Sequence, residues 1–564
     1  MSADFEKVLV KDPRLDVVDS IKYAVVKGGQ NVTASPFRAI SESDSQVIWN
    51  IQVPSEQTIV DRRVLWQGTL VLNVNTAGLG QYGVSWSLAS FPLHQLLSVM
   101  QATINNNTVS LNVNDALPII TRLLSCEDLT WFNSTTPTFA DTQNKYVTPT
   151  DLTDHNNPLS SLWGCEFGKN PHRGCFAPTS VAAGLAEGTQ DWTFSLTEPL
   201  LISPFIYSDL KANSQGFYGI QNMNFILNKS GQYKRVARGT VIVNSASTSG
   251  GGTSSSPTST LLFTFLTPHP SDLMPARNIV PFYELPRYIT SFPNATLLRK
   301  TNDAGTSLAY GPYSTSINLN TLQLNQIPDK LIIYVRKTLA NNSLDPDVAL
   351  PIGKISINFN NNSGILASAN SVQLWQMSRD NGLTNTWTEY SGYGVTAVID
   401  SGTGLPAAQL IGTVGSYLVL EFGRDIQLTE DFYAAGSLGN FNLQVQLTEV
   451  FNNTYSDIAA NSYQIVMITM NSGVFVNERG TSSTYTGILT KQDILEASQQ
   501  EHYTHHDVGR MVGGFDFFGA VKSGLSGIAK KGMDMGKKAL HKQGKKLLKS
   551  GTQMASSALE KYLK

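Results

Sequence analysis

Cysteine, charge and long apolar runs are all scarce in this chain of 564 residues. Three cysteines, Cys126, Cys165 and Cys175, are too few for a disulfide framework, and the odd number argues against an oxidising destination. No run approaches 18 uncharged apolar residues, which argues against a transmembrane helix. The first residues also lack the basic start and apolar core of a signal peptide. We therefore expect a soluble chain that is made in a reducing compartment and is not secreted.

Charged residues make up 15% of the chain, against a usual share of about 25%. Asparagine, serine, threonine, glutamine and glycine take their place at polar positions. Neutral polar groups lose their hydration at lower cost than ions do when two proteins meet. The composition is therefore typical of a surface that mostly contacts other protein.

Sequence motifs for common catalytic and cofactor sites are also missing. The chain has no Gly-x-Ser-x-Gly elbow, no His-Glu-x-x-His, no phosphate-binding Walker loop and no Gly-x-Gly-x-x-Gly after a strand. Cys165 and Cys175 flank His172, but their spacing matches no standard zinc site. The sequence therefore predicts no metal, no cofactor and no catalytic residue.

Two further groups of residues allow a chemical reading beside a structural one. His502, His505 and His506 would cluster on a helix, yet no fourth metal ligand is evident, so a solvated hinge is the preferred interpretation. Glu389 lies among aromatic residues, as acids of sugar clefts do, which leaves a two-domain glycoside hydrolase as one alternative. Aromatic residues in such a pattern more often pack a core or an interface.

Short β-rich runs separated by turn residues dominate the chain between about residues 45 and 490. They are rich in β-branched and aromatic residues, and many alternate apolar with polar positions. Helix-like stretches are few and short. The strands predicted with most support cover residues 47–53, 65–74, 261–266, 331–335, 417–422 and 464–470, and the helices cover 92–100, 116–124 and 371–378.

The runs form two blocks, about 45–270 and 315–475, joined by a proline-rich passage. Each block has the size and texture of an eight-stranded sandwich. We therefore predict an all-β chain with two tandem eight-stranded antiparallel jelly-roll β-sandwiches, short helices in the loops and a basic, partly helical C-terminal tail. The glycine- and serine-rich segment 245–260 is predicted to be an exposed connection.

The boundaries that follow from these patterns divide the chain into four parts. Residues 1–44 are predicted to form an N-terminal arm, and residues 45–285 the first sandwich with its long loops. Residues 286–495 are predicted to form the second sandwich. Residues 496–564 are predicted to be a hinge followed by the tail.

The last 54 residues differ in charge from the rest of the chain. Residues 511–564, the lysine-rich tail, hold eleven lysines, no arginine and three acidic residues, a balance of +8, whereas the remaining residues carry about −10. Apolar residues recur at helical spacing between the lysines, although six glycines weaken the helix. Such a segment is expected to become ordered only on a partner.

Lysine without arginine favours contact with phosphate groups over the reading of bases. DNA and an anionic membrane surface both offer such groups. A solvated tail without a partner is the plainer alternative. The residues predicted to make the contact are Lys522, Lys530, Lys531, Lys537, Lys538, Lys542, Lys545, Lys546 and Lys549.

Several characteristic stretches are spread over about 400 residues of the chain. They are Phe91-Pro-Leu-His-Gln-Leu, Ala102-Thr-Ile-Asn-Asn106, Glu198-Pro-Leu-Leu-Ile-Ser-Pro-Phe205, Phe217-Tyr-Gly-Ile-Gln-Asn-Met-Asn-Phe225, Asn278-Ile-Val-Pro-Phe-Tyr-Glu-Leu-Pro286, Ile327-Pro-Asp-Lys-Leu-Ile-Ile-Tyr-Val335, Ile355-Ser-Ile-Asn-Phe-Asn360 and Gly436-Ser-Leu-Gly-Asn-Phe-Asn-Leu443. In these stretches and their order the chain resembles a known family, the double jelly-roll major capsid proteins of the adenovirus, virophage and Polinton lineage. The likeness is strongest to polinton-like viruses of algae and protists.

The resemblance implies a structural protein rather than an enzyme. It implies a homotrimer of pseudo-hexagonal outline, a lattice of trimers in an icosahedral DNA-virus capsid, and contacts with a different vertex (penton) protein and with minor capsid proteins. The protein would be made in the host cytoplasm or nucleus and would end in the virion. The tail, if it points inward, would contact packaged DNA or an internal anionic membrane.

A second kind of viral protein remains an alternative. Trimeric receptor- or glycan-binding surface proteins are also β-rich and heavy in asparagine, serine and threonine. They would more often show sequence repeats, and they would not need a lysine-rich tail. Low copy number in the particle would favour this alternative.

Overall fold

The structure of the chain is a computed structural model. It describes residues 8–10, 24–26, 31–77, 82, 86–124, 132, 178–205, 216, 218–239, 241–248, 258–267, 277–293, 298–303, 307–310, 317–339, 348–399, 406–428, 434–452 and 462–487. All of them lie in one compact unit of the chain, Met1–His502. The cysteines, the three clustered histidines and the lysine-rich tail lie outside the described residues.

The described N-terminal half is built mainly from strands. They are β1 (Val8–Val10), β2 (Ala24–Val26), β3 (Asn31–Arg38), β4 (Ser41–Glu42), β5 (Gln46–Gln52), β6 (Ile59–Val60), β7 (Leu65–Asn75), β8 (Trp86–Leu88), β9 (Leu97–Ile104), β10 (Asn107–Asn112), β11 (Ser180–Ala183), β12 (Thr189–Pro199), β13 (Asn222–Lys229), β14 (Ala237–Gly239), β15 (Val243–Ser247) and β16 (Thr260–Thr267). The helices are α1 (Pro92–Gln95), α2 (Val113–Leu123) and a 3₁₀ turn, Tyr233–Val236.

The C-terminal half follows the same scheme. Its strands are β17 (Arg277–Glu284), β18 (Arg287–Pro293), β19 (Leu298–Asp303), β20 (Ser307–Tyr310), β21 (Ile317–Asn318), β22 (Leu322–Gln326), β23 (Lys330–Lys337), β24 (Ile352–Phe359), β25 (Asn362–Ile365), β26 (Tyr393–Ile399), β27 (Pro406–Gly412), β28 (Tyr417–Glu421), β29 (Leu438–Asn452), β30 (Ser462–Glu478) and β31 (Thr481–Thr486). Its helices are α3 (Ser371–Asp380) and α4 (Trp387–Tyr390).

The strand order of the first half is that of a jelly roll. One sheet runs β3-β16-β7-β12 and the other runs β5-β13-β9-β10, with every neighbouring pair antiparallel. If these eight strands are counted in chain order, the sheets read 1-8-3-6 and 2-7-4-5. The first four-strand set is extended at its edge by β11.

The second half repeats this order. One sheet runs from β17 and β18 through β30 and β23 to β28, and the other runs β22-β29-β24-β25. Counted in chain order, with β17 and β18 as one bent first strand, they again read 1-8-3-6 and 2-7-4-5. The predicted all-β fold with two tandem jelly rolls is confirmed.

Each jelly roll closes around an aromatic core between its two sheets. In the first, Trp49 of β5 meets Trp66 of β7 edge to face, with ring centroids 6.3 Å apart. In the second, the Phe359 ring at the end of β24 lies 5.2 Å from that of Phe422, which follows β28. Alternating burial along β7 and β24 shows why the strands form: one face is buried in the core and the other is more exposed.

Two sets of strand pairings bear on the predicted boundaries of the sandwiches. β3 and β4 lie within the range 1–44 that was predicted to be an arm, yet β3 pairs with β16 and β4 with β5. β17 lies within the range assigned to the first sandwich, but it pairs with β30 of the second.

One helix prediction was wrong in its extent. The predicted helix 92–100 ends at Gln95, and β9 begins at Leu97. The backbone of Leu97–Ile104 instead pairs with β13 on one side and β10 on the other, so pairing in the sheet overrides the local helical pattern. The other two predicted helices are present as α2 and α3, each directly after the fifth strand of its jelly roll.

Candidate functional site

Helix α2 belongs to the first jelly roll and makes several polar contacts with the second. All eleven of its residues are buried. A helix that is buried on every side must pack against more than one surface. On the second jelly roll the facing strand is β23, seven of whose eight residues are buried. We call this contact region the junction.

Proline within α2 exposes an acceptor for the second jelly roll. Pro118 has no N–H, so the carbonyl of Asn114, four residues earlier, receives no bond within the helix. The Arg336 guanidinium of β23 supplies that bond instead, with Nη1 at 2.9 Å from the Asn114 carbonyl oxygen. Arg235 of the first jelly roll donates to the Asn114 side chain at 2.5 Å.

Asp115 is the centre of the junction. Its carboxylate accepts from Arg336 of β23 on one oxygen and from Arg287 of β18 on the other. Its backbone carbonyl accepts from the Tyr334 hydroxyl at 2.8 Å. Burial raises the pKa of Tyr334, so that hydroxyl remains a donor. Three side chains of the second jelly roll therefore converge on one residue of the first.

The other end of α2 is also held by the second jelly roll. Thr384 donates from both its backbone N–H (3.0 Å) and its hydroxyl (2.8 Å) to the carbonyl of Arg122, which lies in the last turn of α2. The Arg122 guanidinium lies over the Tyr417 ring of β28, 5.1 Å from its centroid. Both ends of the helix are thus fixed by contacts across the junction.

A third contact joins two turns. Asn105, in the turn between β9 and β10, donates to the Ser482 hydroxyl of β31 at 2.8 Å, and Asn106 accepts from the Ser482 N–H at 2.9 Å. Nearby, the Gly480 N–H donates to the Gly219 carbonyl. Gly480 has a φ of +80°, a conformation that glycine adopts without strain. This contact lies apart from α2 in the chain and adds a second line of attachment.

The junction contains a small cavity. This cavity, lined by Leu111, Ile120, Ile202, Phe282 and Leu285 among others, has room for about one water molecule. A substrate or cofactor does not fit there. At this cavity the junction is therefore a structural contact between the two jelly rolls.

Lys330, also on β23, caps the other helix that packs on the second jelly roll. Its ammonium donates to the Asn381 carbonyl at the end of α3, at 2.7 Å. Burial lowers the pKa of Lys330 to about 8, and the Glu421 and Asp329 carboxylates oppose this shift. β23 therefore makes polar contacts with α2 as well as with the end of α3.

Glu42 closes the base of the connection between β15 and β16. Its carboxylate accepts from the Thr248 hydroxyl (2.6 Å) and the N–H groups of Thr258 (2.8 Å) and Ser259 (3.0 Å). Burial raises the pKa of the Glu42 carboxyl, but these hydrogen bonds outweigh it and hold the pKa below its usual value. The glycine-rich part of the predicted connection, residues 249–257, lies outside the described residues; residues 245–247, by contrast, belong to β15.

Glu389 has a structural task in this fold. It is the third residue of α4, and its carboxylate accepts from the Thr386 N–H at 2.7 Å while the Thr386 hydroxyl accepts from the Glu389 N–H, a capping box. Trp375 and Trp387 lie beside it, with ring centroids 5.8 Å apart. The residue proposed as the acid of a sugar cleft therefore caps a helix.

Asp115 and Arg336 were not singled out from the sequence. Two signals were available: a proline inside a predicted helix, and three cations, Lys330, Arg336 and Lys337, in an otherwise apolar strand. Neither signal identifies the partner, because the two elements are more than 200 residues apart.

The structure adds two negative observations for the part of the chain it covers. Within it, no three histidine, cysteine or acidic side chains come together as metal ligands would. Among the described helices, none has the length and apolar character needed to cross a bilayer. The nine lysines predicted to contact phosphate lie outside the described residues, so their role stays a prediction.

Comparison with known families covers most of the chain. Residues 3–266 match the family model of the Sputnik virophage major capsid protein first domain, and residues 285–473 match the major capsid protein V20 C-terminal domain. The putative capsid protein V20 of Sputnik virophage is 29% identical over 539 residues, which cover 92% of this chain and 86% of that protein.

Solved structures agree with the sequence comparison. The chain from the 3.5 Å cryo-EM structure of the Sputnik virophage superposes with a TM-score of 0.68 and 25% identity, covering 90% of this chain and 98% of that one. The crystal structure of the mavirus major capsid protein gives a TM-score of 0.63 at 14% identity, covering 88% and 98% of the two chains. The second match shows the fold alone.

Proposed function

We propose that the chain is a double jelly-roll major capsid protein of the virophage lineage and that it builds the shell of an icosahedral DNA virus as a homotrimer. The observation that carries the proposal is the repeated strand order within one chain. Two jelly rolls per chain give six in a trimer, which approximates a hexagon and can tile a flat face. Heterologous contacts around a threefold axis close the trimer, and weaker contacts join trimers.

The composition supports this role. A low content of charged residues limits repulsion between many copies placed side by side. Weak contacts repeated many times give a stable wall that can still correct errors during assembly. We propose a structural protein without catalysis, located in the virion after synthesis in the host cytoplasm or nucleus, with vertex and minor capsid proteins as further partners.

We expect the purified protein to be a trimer. Size-exclusion chromatography with light scattering should give three times the chain mass of 61.4 kDa. Negative-stain images should show pseudo-hexagonal particles or shells. A stable monomer at micromolar concentration would contradict the proposal, because capsid blocks of this kind must form before the lattice does.

The domain division also enters the proposal. We assign residues 1–30 to an N-terminal arm, residues from Asn31 to about 267 to the first jelly roll, and residues from Arg277 to 487 to the second. The hinge and tail begin near residue 496. The strand pairings of β3 and β17 support the two adjusted boundaries.

For the lysine-rich tail we propose an inward contact with packaged DNA or an internal anionic membrane. The support is its balance of +8 on an otherwise acidic chain. Deletion of residues 511–564 should leave trimers intact and weaken binding to duplex DNA or anionic vesicles, measured by sedimentation. A matched full-length variant with the nine predicted lysines changed to glutamine should show the same loss.

The effect of ionic strength distinguishes binding to DNA from binding to a membrane. Binding to DNA by lysines should fall steeply with ionic strength, because condensed counterions are released. Insertion of the apolar stripe into a membrane should persist at high salt. Unchanged binding of both ligands after deletion would mean that the tail has no such role.

A further inference from the structure

We propose that Asp115 is the positioning residue that sets the angle between the two jelly rolls, and that assembly of trimers into a flat lattice depends on this angle. The inference rests on the proposed capsid function. It concerns a residue that is buried within the single chain and acts through the shape of that chain.

The geometry singles out Asp115 because its partners come from different strands. Arg287 lies on the first strand of the second jelly roll and Arg336 on the third, and both donate to the same carboxylate. A carboxylate that binds two guanidinium groups resists both a shift along one strand and a rotation about it. Arg287 and Arg336 therefore define an orientation as well as a contact.

Burial makes the Asp115–Arg336 pair difficult to rearrange. The side chains of Asp115 and Arg336 are 1% and 2% exposed, so neither ion can exchange its partner for water. Removing one member of such a pair leaves the other buried and uncompensated. The junction therefore favours one angle strongly over others.

Pro118 gives the network its second acceptor. Because the proline withholds an N–H from the Asn114 carbonyl, Arg336 can bridge that carbonyl and the Asp115 carboxylate with its two terminal nitrogens. The same guanidinium is bound to two acceptors in the first turn of α2. These two bonds fix both the position and the direction of that turn relative to β23. An ordinary apolar contact would permit sliding at this point.

The angle between the two jelly rolls of each chain determines the outline of the trimer. Each copy contributes two corners to the pseudo-hexagon, so an error in the angle between the jelly rolls is repeated three times around the axis. A distorted block leaves gaps or overlaps with its neighbours in a flat sheet. Lattice formation should therefore respond to the junction more sharply than folding does.

The test uses the full-length chain with Asp115→Asn. Hydrogen exchange at the amides of α2 and β23 should become at least about tenfold faster. The loss of one buried hydrogen bond between charged groups should lower the free energy of local opening enough to raise the exchange rate by that factor. The core strands β13 and β29 should keep their protection. Calorimetry should resolve two unfolding transitions where the parent shows one, and the yield of trimers and lattices should fall about tenfold or more.

The control is Glu449→Gln, which also changes a carboxylate to an amide, in a partly exposed pair with Lys354 at 2.8 Å that joins β29 and β24 in the other sheet of the second jelly roll. It should change neither exchange nor assembly. If Asp115→Asn fails to fold, Arg287→Ala serves in its place, because Arg287 is 36% exposed and its loss leaves no fully buried unpaired cation. That variant should loosen the junction and lower the trimer yield several-fold.

The pair of changes Asp115→Asn with Arg336→Met separates positioning from stability. It removes the unpaired buried cation, so thermal stability should return towards that of the parent while lattice yield stays low. Recovery of both would overturn the proposal, as would normal assembly and exchange in Asp115→Asn. A parent chain that forms no trimers would refute the capsid function alone, since hydrogen exchange and calorimetry still report on the junction.

Discussion

Replacing Glu198 with alanine is expected to destabilise the first jelly roll by about 3–5 kcal/mol, because it leaves several buried donors without an acceptor. The Glu198 carboxylate accepts from the N–H groups of Leu93 (2.8 Å) and His94 (3.2 Å) at the start of α1, and it pairs with His94 Nδ1 at 2.6 Å. The Leu201 N–H faces His94 Nε2 at 3.4 Å, so Nδ1 carries the proton and donates.

Urea unfolding followed by tryptophan fluorescence measures this loss as a lower midpoint at an unchanged slope. Trp66 is one of the eight tryptophans that contribute to the signal, and its ring lies 5.6 Å from that of His94. The control is Glu187→Ala at an exposed site near the start of β12, which should change the free energy of unfolding by no more than about 0.5 kcal/mol. Equal effects of the two changes would show that the buried network contributes little.

Replacing Phe359 with alanine is expected to cost the second jelly roll about 3–5 kcal/mol, since it opens a cavity in a closed aromatic core. The Phe359 side chain is fully buried. Its ring lies 5.2 Å from that of Phe422 and 5.9 Å from that of Phe441, so one side chain joins both sheets of the sandwich.

Phe359→Leu is the graded comparison and should cost about 1–2 kcal/mol, because the remaining cavity is smaller. Val372→Ala, on the exposed face of α3, provides a surface control of the same jelly roll, with an expected change within about 0.5 kcal/mol. Similar losses for alanine and leucine at Phe359 would mean that the core relaxes into the space.

Two of the stretches that resemble the capsid family meet at Glu198. The run from Phe91 to Leu96 contains the donors, and the run from Glu198 to Phe205 begins with the acceptor. The sequence shows both runs, but it does not show that they touch, since about 100 residues separate them. The resemblance therefore had a physical basis that became visible only in the folded chain.

Strand positions were accessible from local pattern to a large extent. The predicted runs 65–74 and 261–266 lie within β7 and β16, and alternation of apolar and polar residues is enough to locate them. The predicted helix 92–100 failed beyond Gln95, because the pattern cannot report that β13 and β10 pair with both edges of the following residues. Local propensity is overridden where long-range pairing supplies more hydrogen bonds.

The amino-acid sequence by itself determined the class of this protein: an all-β chain with two similar blocks, low charge, a lysine-rich end and stretches shared with capsid proteins. These properties depend on composition and on neighbours in the chain. Only the tertiary structure decided that the blocks share one strand order and that Asp115 receives Arg287 and Arg336 across the junction. Contacts between residues about 170 to 220 positions apart leave no period in the sequence, and their energy exists only once both jelly rolls have closed.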